Sequence, residues 1–226
     1  MSAAATGFGQ GPLSRAAALV HTLLVVEGMF LATVAPGLAG LLFLGGAPSN
    51  LPLAAVCLVP AGPGCAAALY ALHHRSGDLT ELHPARTYLR GLRLNTRTAL
   101  ALWTPLLAWL TVIAYTLTHF SLTGLPGWWA ALLAVVGVGA LLWGANALVI
   151  GALFTFRTRD TVRLAGHFLL RRGGASPAAA SALVLVVAGT LWLTEALPLL
   201  LTSLLLFSLL HSSRPMITRT HEEYTA

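Results

Sequence analysis

The sequence predicts an all-α, polytopic membrane protein: a bundle of six spans with two amphipathic basic helices on one membrane face. Three observations predict it. Apolar residues make up 57% of the 226 residues and charged residues only 9%, against roughly 25% charged in a soluble domain. Several runs approach or exceed the ~20 apolar residues that cross a hydrocarbon core, and none alternates like a membrane β-strand. The net charge of +6 is gathered in a few segments between those runs. Anionic lipid is therefore favoured over nucleic acid as a partner, since no exposed aromatic or groove-reading module accompanies the charge. All 13 Lys and Arg positions are arginine, which fits a GC-rich genome better than a chemical demand.

Residues 1–14 are small, Gly-rich and uncharged, and are expected to form a disordered tail. Residues 15–213 read as one transmembrane domain, and 214–226 as a second tail. The first span follows Arg15 and runs from Ala16 to about Ala35. A signal peptide has an apolar core of about 7–15 residues. This run is longer and contains Glu27, so an uncleaved span is the better reading. Pro36-Gly37 bends or ends it, with Leu38 to Leu44 as a continuation. Gly45 to Asn50 then make a short, uncharged turn.

The second span covers about Leu51 to Leu72 and contains PAGPG, Pro60 to Gly64. Pro60 and Pro63 lack a backbone donor, and Gly62 and Gly64 tolerate unusual dihedrals, so the span should be kinked or locally unwound. A polar segment, His73 to Arg97, follows. Its second half reads as a basic helix starting near Pro84, with Arg86, Arg90, Arg93 and Arg97 on one face. Tyr88 and Leu92 would face either the bilayer or the bundle.

The third span is about Thr98 to His119, with Pro105 inside it, and an uncharged loop follows from Phe120 to Pro126. Trp128 and Trp129 mark a membrane interface, and the fourth span continues to about Phe154. Phe156 to Arg172 then reads as a second basic helix. Arg159, Arg163, His167 and Arg171 recur at steps of four, while Val162, Ala165 and Leu169 fall on the other side. Arg171-Arg172-Gly173-Gly174 is a plausible stop.

Ser176 to His211 would be about 54 Å long as one helix, too long for a core of about 30 Å. Thr194 to Pro198 is the natural break, giving short spans at about Pro177 to Leu193 and Leu197 to His211. With six spans, every arginine lies on one side, the cytoplasmic one, and both termini are inside. The alternative of five spans sends Arg214 and Arg219 outward and buries Glu195.

Few residues could carry chemistry. Glu27 lies near the middle of span one, where a charge costs about 2.5–3.5 kcal/mol on insertion scales. It is a candidate intramembrane polar site, with Asn146 or Thr104 as a hydrogen-bonding neighbour. The alternative is a proton or substrate site. Pro60, Gly62, Pro63 and Gly64 offer a kink that could expose backbone for binding, although packing kinks are commoner. The two arginine faces are topology signals first, and lipid anchors or docking surfaces second. Asp160 suits the first turn of its helix. Cys57 and Cys65 lack CxxC spacing and read as small core thiols. Adjacent His73 and His74 do not share a helix face and make a poor metal pair. No HExxH, GxSxG or P-loop pattern occurs, so no catalytic residue, metal or cofactor is expected, and the chain is not read as an enzyme.

Three stretches resemble the YesL-like family of bacterial membrane proteins, catalogued as a domain of unknown function. They are Pro60, Gly62, Pro63 and Ala66 to Leu69 in span two; Tyr88-Leu89-Arg90-Gly91 through Asn95; and Phe156 to Asp160, as in actinobacterial members. Span one departs from the pattern, with Glu27 where members often carry Asn. The resemblance implies a multi-pass protein of the bacterial cell membrane. Its family genes commonly lie beside those of carbohydrate ABC transporters, which implies a non-enzymatic accessory or regulatory role with transporter subunits as partners. The alternative is a small secondary transporter or channel-like carrier using Glu27 and kinked spans one and two.

Overall fold

A computed structural model describes residues 12–45, 47–75, 83–153, 158–171 and 202–212. Every regular element among them is helical. We number the α-helices α1 (Pro12–Phe43), α2 (Leu51–Cys57), α3 (Ala61–His73), α4 (Pro84–Thr118), α5 (Trp128–Leu153), α6 (Thr158–Arg171) and α7 (Thr202–Ser212). Single 3-10 turns sit at Pro48–Asn50 and Phe120–Leu122.

Three of these helices, α1, α4 and α5, are long and apolar enough to cross a membrane. A fourth crossing is formed if α2 and α3, bent by 40° at their break, count as one span. The chain is thus a helical protein with several candidate membrane spans. The expected span at 177–193 lies outside the described residues, and of the expected last span only Thr202–Ser212 is described.

Helix α1 begins at Pro12, inside the segment expected to be a disordered tail, and continues through Pro36 without a break. Its inner stripe is Ala18, Thr22, Val26, Phe30 and Val34, all buried at steps of four. The Thr22 hydroxyl donates to Ala18 O and the Thr33 hydroxyl to Met29 O, each at 2.8 Å, so neither brings an unmet donor into the apolar interior. Gly37 lets the chain double back closely: a Cβ there would lie 1.9 Å from the Cys57 carbonyl oxygen.

The break in the second span falls at Leu58–Pro60, just ahead of the PAGPG glycines. Pro63 has no N–H to give, and the Trp103 indole donates to Leu58 O at 3.0 Å. An α4 side chain thereby adds a second donor to a carbonyl at the break that already accepts the Ala61 N–H. The indole lies over Gly62, where a Cβ would sit 2.5 Å from it. Helices α3 and α4 run antiparallel, since Gly62 meets Trp103 while Gly91 meets Tyr70. Helices α4 and α5 also run antiparallel, pairing Ile113 with Gly137, Leu106 with Gly144 and Leu102 with Gly151.

These pairings gather the start of α1, the end of α3, the start of α4 and the end of α5 at one end of the bundle. Arg15, Arg75 and Arg86 to Arg97 lie at that end. The core joins α1, α3, α4 and α5 around Ala66 to Leu72, Tyr88, Leu102 and Ala147 to Ile150, and α6 and α7 add Ala165, Leu209 and Leu210.

Candidate functional site

Two sets of polar side chains stand apart from the apolar bundle. The first is interior. Glu27 is 8% exposed, near the middle of the 32-residue α1. Its Oε2 accepts the backbone N–H of Ser203 at 2.5 Å. Ser203 is the second residue of α7, so the carboxylate meets the positive end of a helix whose first N–H groups have no partner within the helix. Helix α7 then runs toward the basic end, where the Arg75 guanidinium lies 4.6 Å over the Phe207 ring. Glu27 Oε1 is buried and has no hydrogen-bond partner among the described residues.

A second polar contact neighbours the first. Tyr88 is fully buried. Its hydroxyl lies 2.9 Å from the Thr33 hydroxyl and donates to Gly64 O at 3.4 Å. Cys65 follows Gly64 on α3. Helices α1, α3, α4 and α7 thus each place a polar group in the bundle interior.

The expected hydrogen-bonding neighbours of Glu27 were Asn146 and Thr104. The observed partner is a backbone amide 176 residues away. Thr104 is exposed. Asn146 is fully buried on α5, and neither its Nδ2 nor its Oδ1 has a partner among the described residues. Sequence reasoning missed Ser203, Thr33 and Tyr88 as members of the interior set. The sequence allows Tyr88 to face either the bilayer or the bundle, and the bundle holds it. Nothing near Ser203 in the sequence points to Glu27.

The four predicted kink residues lie at and after the break. Gly62, Pro63 and Gly64 are buried and Pro60 is half-buried. Gly62, Pro63 and Gly64 lie within the first turns of α3; the Gly64 carbonyl accepts the Tyr88 hydroxyl, and the Trp103 indole donates to Leu58 O just ahead of them.

The second set is the basic face. Arg86, Arg90, Arg93 and Arg97 are all exposed on the first turns of α4, and Arg163 is exposed on α6. Arg159, His167 and Arg171 lie within α6. The first basic segment is not the separate helix its periodicity suggested. No Gly or Pro interrupts the run from Arg93 to Pro105, so the helix propagates into the span and forms one element of 35 residues. Helix α6 is a separate element of 14 residues, with Asp160 exposed in its first turn. Its Thr161 and Ala165 are fully buried, and the Trp143 indole of α5 donates to Val162 O at 3.4 Å. Asn95 Nδ2 donates to Ala152 O at 3.2 Å, joining α4 to the end of α5.

A cavity of about 240 Å³ lies at the opposite end, lined by Leu41, Leu44, Pro48, Asn50, Leu51 and Thr118 among others. It includes none of the predicted site residues. Among the described residues no group of three His, Cys, Asp or Glu could hold a metal ion. No family model matches the chain, and no match is found among the curated proteins or the solved structures.

Proposed function

We propose that the protein is a non-enzymatic accessory or regulatory membrane protein that docks through its basic end onto an acidic surface of a membrane partner. The observation that supports this reading is the face of Arg86, Arg90, Arg93 and Arg97, all exposed on a helix continuous with a candidate span. By the excess of arginine at one end, that end is cytoplasmic and the six-span arrangement puts both termini there. The resemblance to YesL-like proteins directs the choice of partner to subunits of a carbohydrate ABC transporter in a bacterial cell membrane. Anionic lipids at the same surface would add about 1 kcal/mol per arginine before screening. Mild-detergent co-purification followed by mass spectrometry tests the proposal: transporter subunits should be recovered with the chain, and their repeated absence would count against it.

A second reading is favoured by one observation, the buried Glu27 at the start of a helix beside a broken span. Membrane carriers place discontinuous helices at their binding sites. Under that reading the chain is a small secondary transporter or channel-like carrier. Proteoliposome flux that depends on Glu27, and falls in Glu27→Gln, would support it; flux indifferent to that substitution would remove it.

A further inference from the structure

We propose that the cavity at the end of the bundle opposite the arginines binds an amphiphile with an alkyl chain and a neutral, hydroxyl-bearing head. The site is separate from the basic face and from Glu27. Three elements build it. The end of α1 gives Leu41, with Leu44 just beyond it; α2 and the turn before it give Asn50, Leu51 and Ala54; the end of α4 gives Thr118. Leu41, Leu44, Leu51 and Ala54 are half-buried and make an apolar wall. The close approach of Cys57 to Gly37 sets α2 against α1. The Asn50 side chain ties the turn by donating from Nδ2 to Gly45 O at 2.9 Å. An apolar cavity of about 150 Å³ already admits a benzene-sized molecule. This one has about 240 Å³, room for a short alkyl run.

The polar groups at the cavity are acceptors more than donors. Asn50 Nδ2 is engaged with Gly45 O, which leaves Oδ1 to accept. The Thr118 hydroxyl donates to Tyr115 O at 2.8 Å and keeps its own lone pairs. His119 Nδ1 lies 3.1 Å from that hydroxyl and 3.0 Å from Tyr115 O. Helices α1 and α4 both end here with no basic side chain in the last turn, so their final carbonyls bring partial negative charge. Helix α2 starts here, but Pro48 and Pro52 have no N–H to offer an anion. No Asp, Glu, Lys or Arg occurs in 41–54 or 118–129. A phosphate or carboxylate would meet acceptors in place of donors, and a full cation would lose water without gaining a counter-charge. A hydroxyl can donate to Asn50 Oδ1 and to Thr118 at neither cost. The depth of the cavity accounts for the chain. Trp128 and Trp129 stack with ring centroids 4.4 Å apart where α5 begins, at this same end. Indoles settle at the membrane–water interface, which is also the depth at which an amphiphile joins its head to its chain.

The test is photolabelling of the full chain in phosphatidylcholine nanodiscs. Two probes are compared, octyl glucoside and octyl phosphocholine, each with a diazirine in the chain, and labelled peptides are mapped by mass spectrometry. The exposed positions Val135 and Val138 of α5 report labelling from the bulk bilayer. The glucoside should label 41–54 and Thr118 over that background by about fivefold, the worth of one net hydrogen bond. The phosphocholine, which has no donor, should label the cavity and the background alike. Thr118→Val should lower glucoside labelling by about threefold and leave the phosphocholine unchanged. Ala54→Phe, which fills the cavity, should bring the glucoside to background. Methyl glucoside, which has the head and no chain, should displace nothing when added in excess. Glucoside labelling of the cavity at the background level would overturn the proposal, and so would equal labelling of the cavity by both probes; both comparisons use the native chain. Displacement by methyl glucoside would assign the site to a free polyol and overturn the amphiphile.

Discussion

The two arginine-bearing segments look alike in sequence and are built differently. Residues 84–97 form the first turns of a 35-residue helix, and residues 158–171 form a separate helix of 14. The arginine spacing is helical in both. What separates them is what lies beside the stripe. The first is tied from within: Gly91 packs under Tyr70, Tyr88 reaches Thr33 and Gly64, and Asn95 caps into Ala152 O. The second rests on α5 through Thr161, Ala165 and the Trp143 indole. A charged stripe reports a solvated or lipid-facing side; the residues opposite it decide how firmly that side is held.

The comparison can be broken at its strongest point first. A leucine in Gly91→Leu must enter space where even a Cβ would lie 2.8 Å from the Tyr70 ring. Overpacking of this kind destabilises by about 3 kcal/mol, so the Tm of the whole bundle in detergent should fall. Ala165→Leu overfills a fully buried position on α6 and should cost about 2 kcal/mol. There the loss should be local: hydrogen exchange should rise over residues 158–171 while the Tm moves little. If both variants lower the Tm equally, the two segments are not held differently.

Smaller changes sharpen the contrast. Tyr88→Phe keeps the ring and removes the hydroxyl contact to Thr33, a loss of about 1 kcal/mol read by chemical denaturation. Asn95→Leu removes the donor to Ala152 O. Interhelical hydrogen bonds in membranes average about 0.6 kcal/mol, and that is the expected effect on stability. Arg90→Gln, on the exposed face, should change stability by less than about 0.5 kcal/mol, so any functional loss it causes is not a folding defect.

The class of protein was legible from composition and run length, because a membrane interior leaves the backbone few options. The broken second span was legible at PAGPG, where two prolines cluster with glycines, whereas the single Pro36 and Pro105 leave their helices continuous. The continuity of α4 was less visible. Arginine periodicity marks a face without saying where a helix ends, and the missing breaker between Arg97 and Pro105 was the better signal. The Glu27 contact could not be read at all. Its partner is a backbone amide on a distant helix, and an amide carries no residue-type signature. Nor does the close approach of Cys57 to Gly37 follow from local pattern, since a glycine in a membrane helix is common for many reasons.

The docking proposal is tested most directly by comparing co-purification from cells expressing three forms of the full chain: native, Arg86→Gln/Arg90→Gln/Arg93→Gln/Arg97→Gln, and Arg163→Gln. Membrane insertion is checked in each, and recovered proteins are quantified by mass spectrometry. The account predicts ABC-transporter subunits with the native chain, a loss of about tenfold or more with the fourfold variant, and a smaller loss with Arg163→Gln. Equal recovery of the same subunits with all three forms would contradict it.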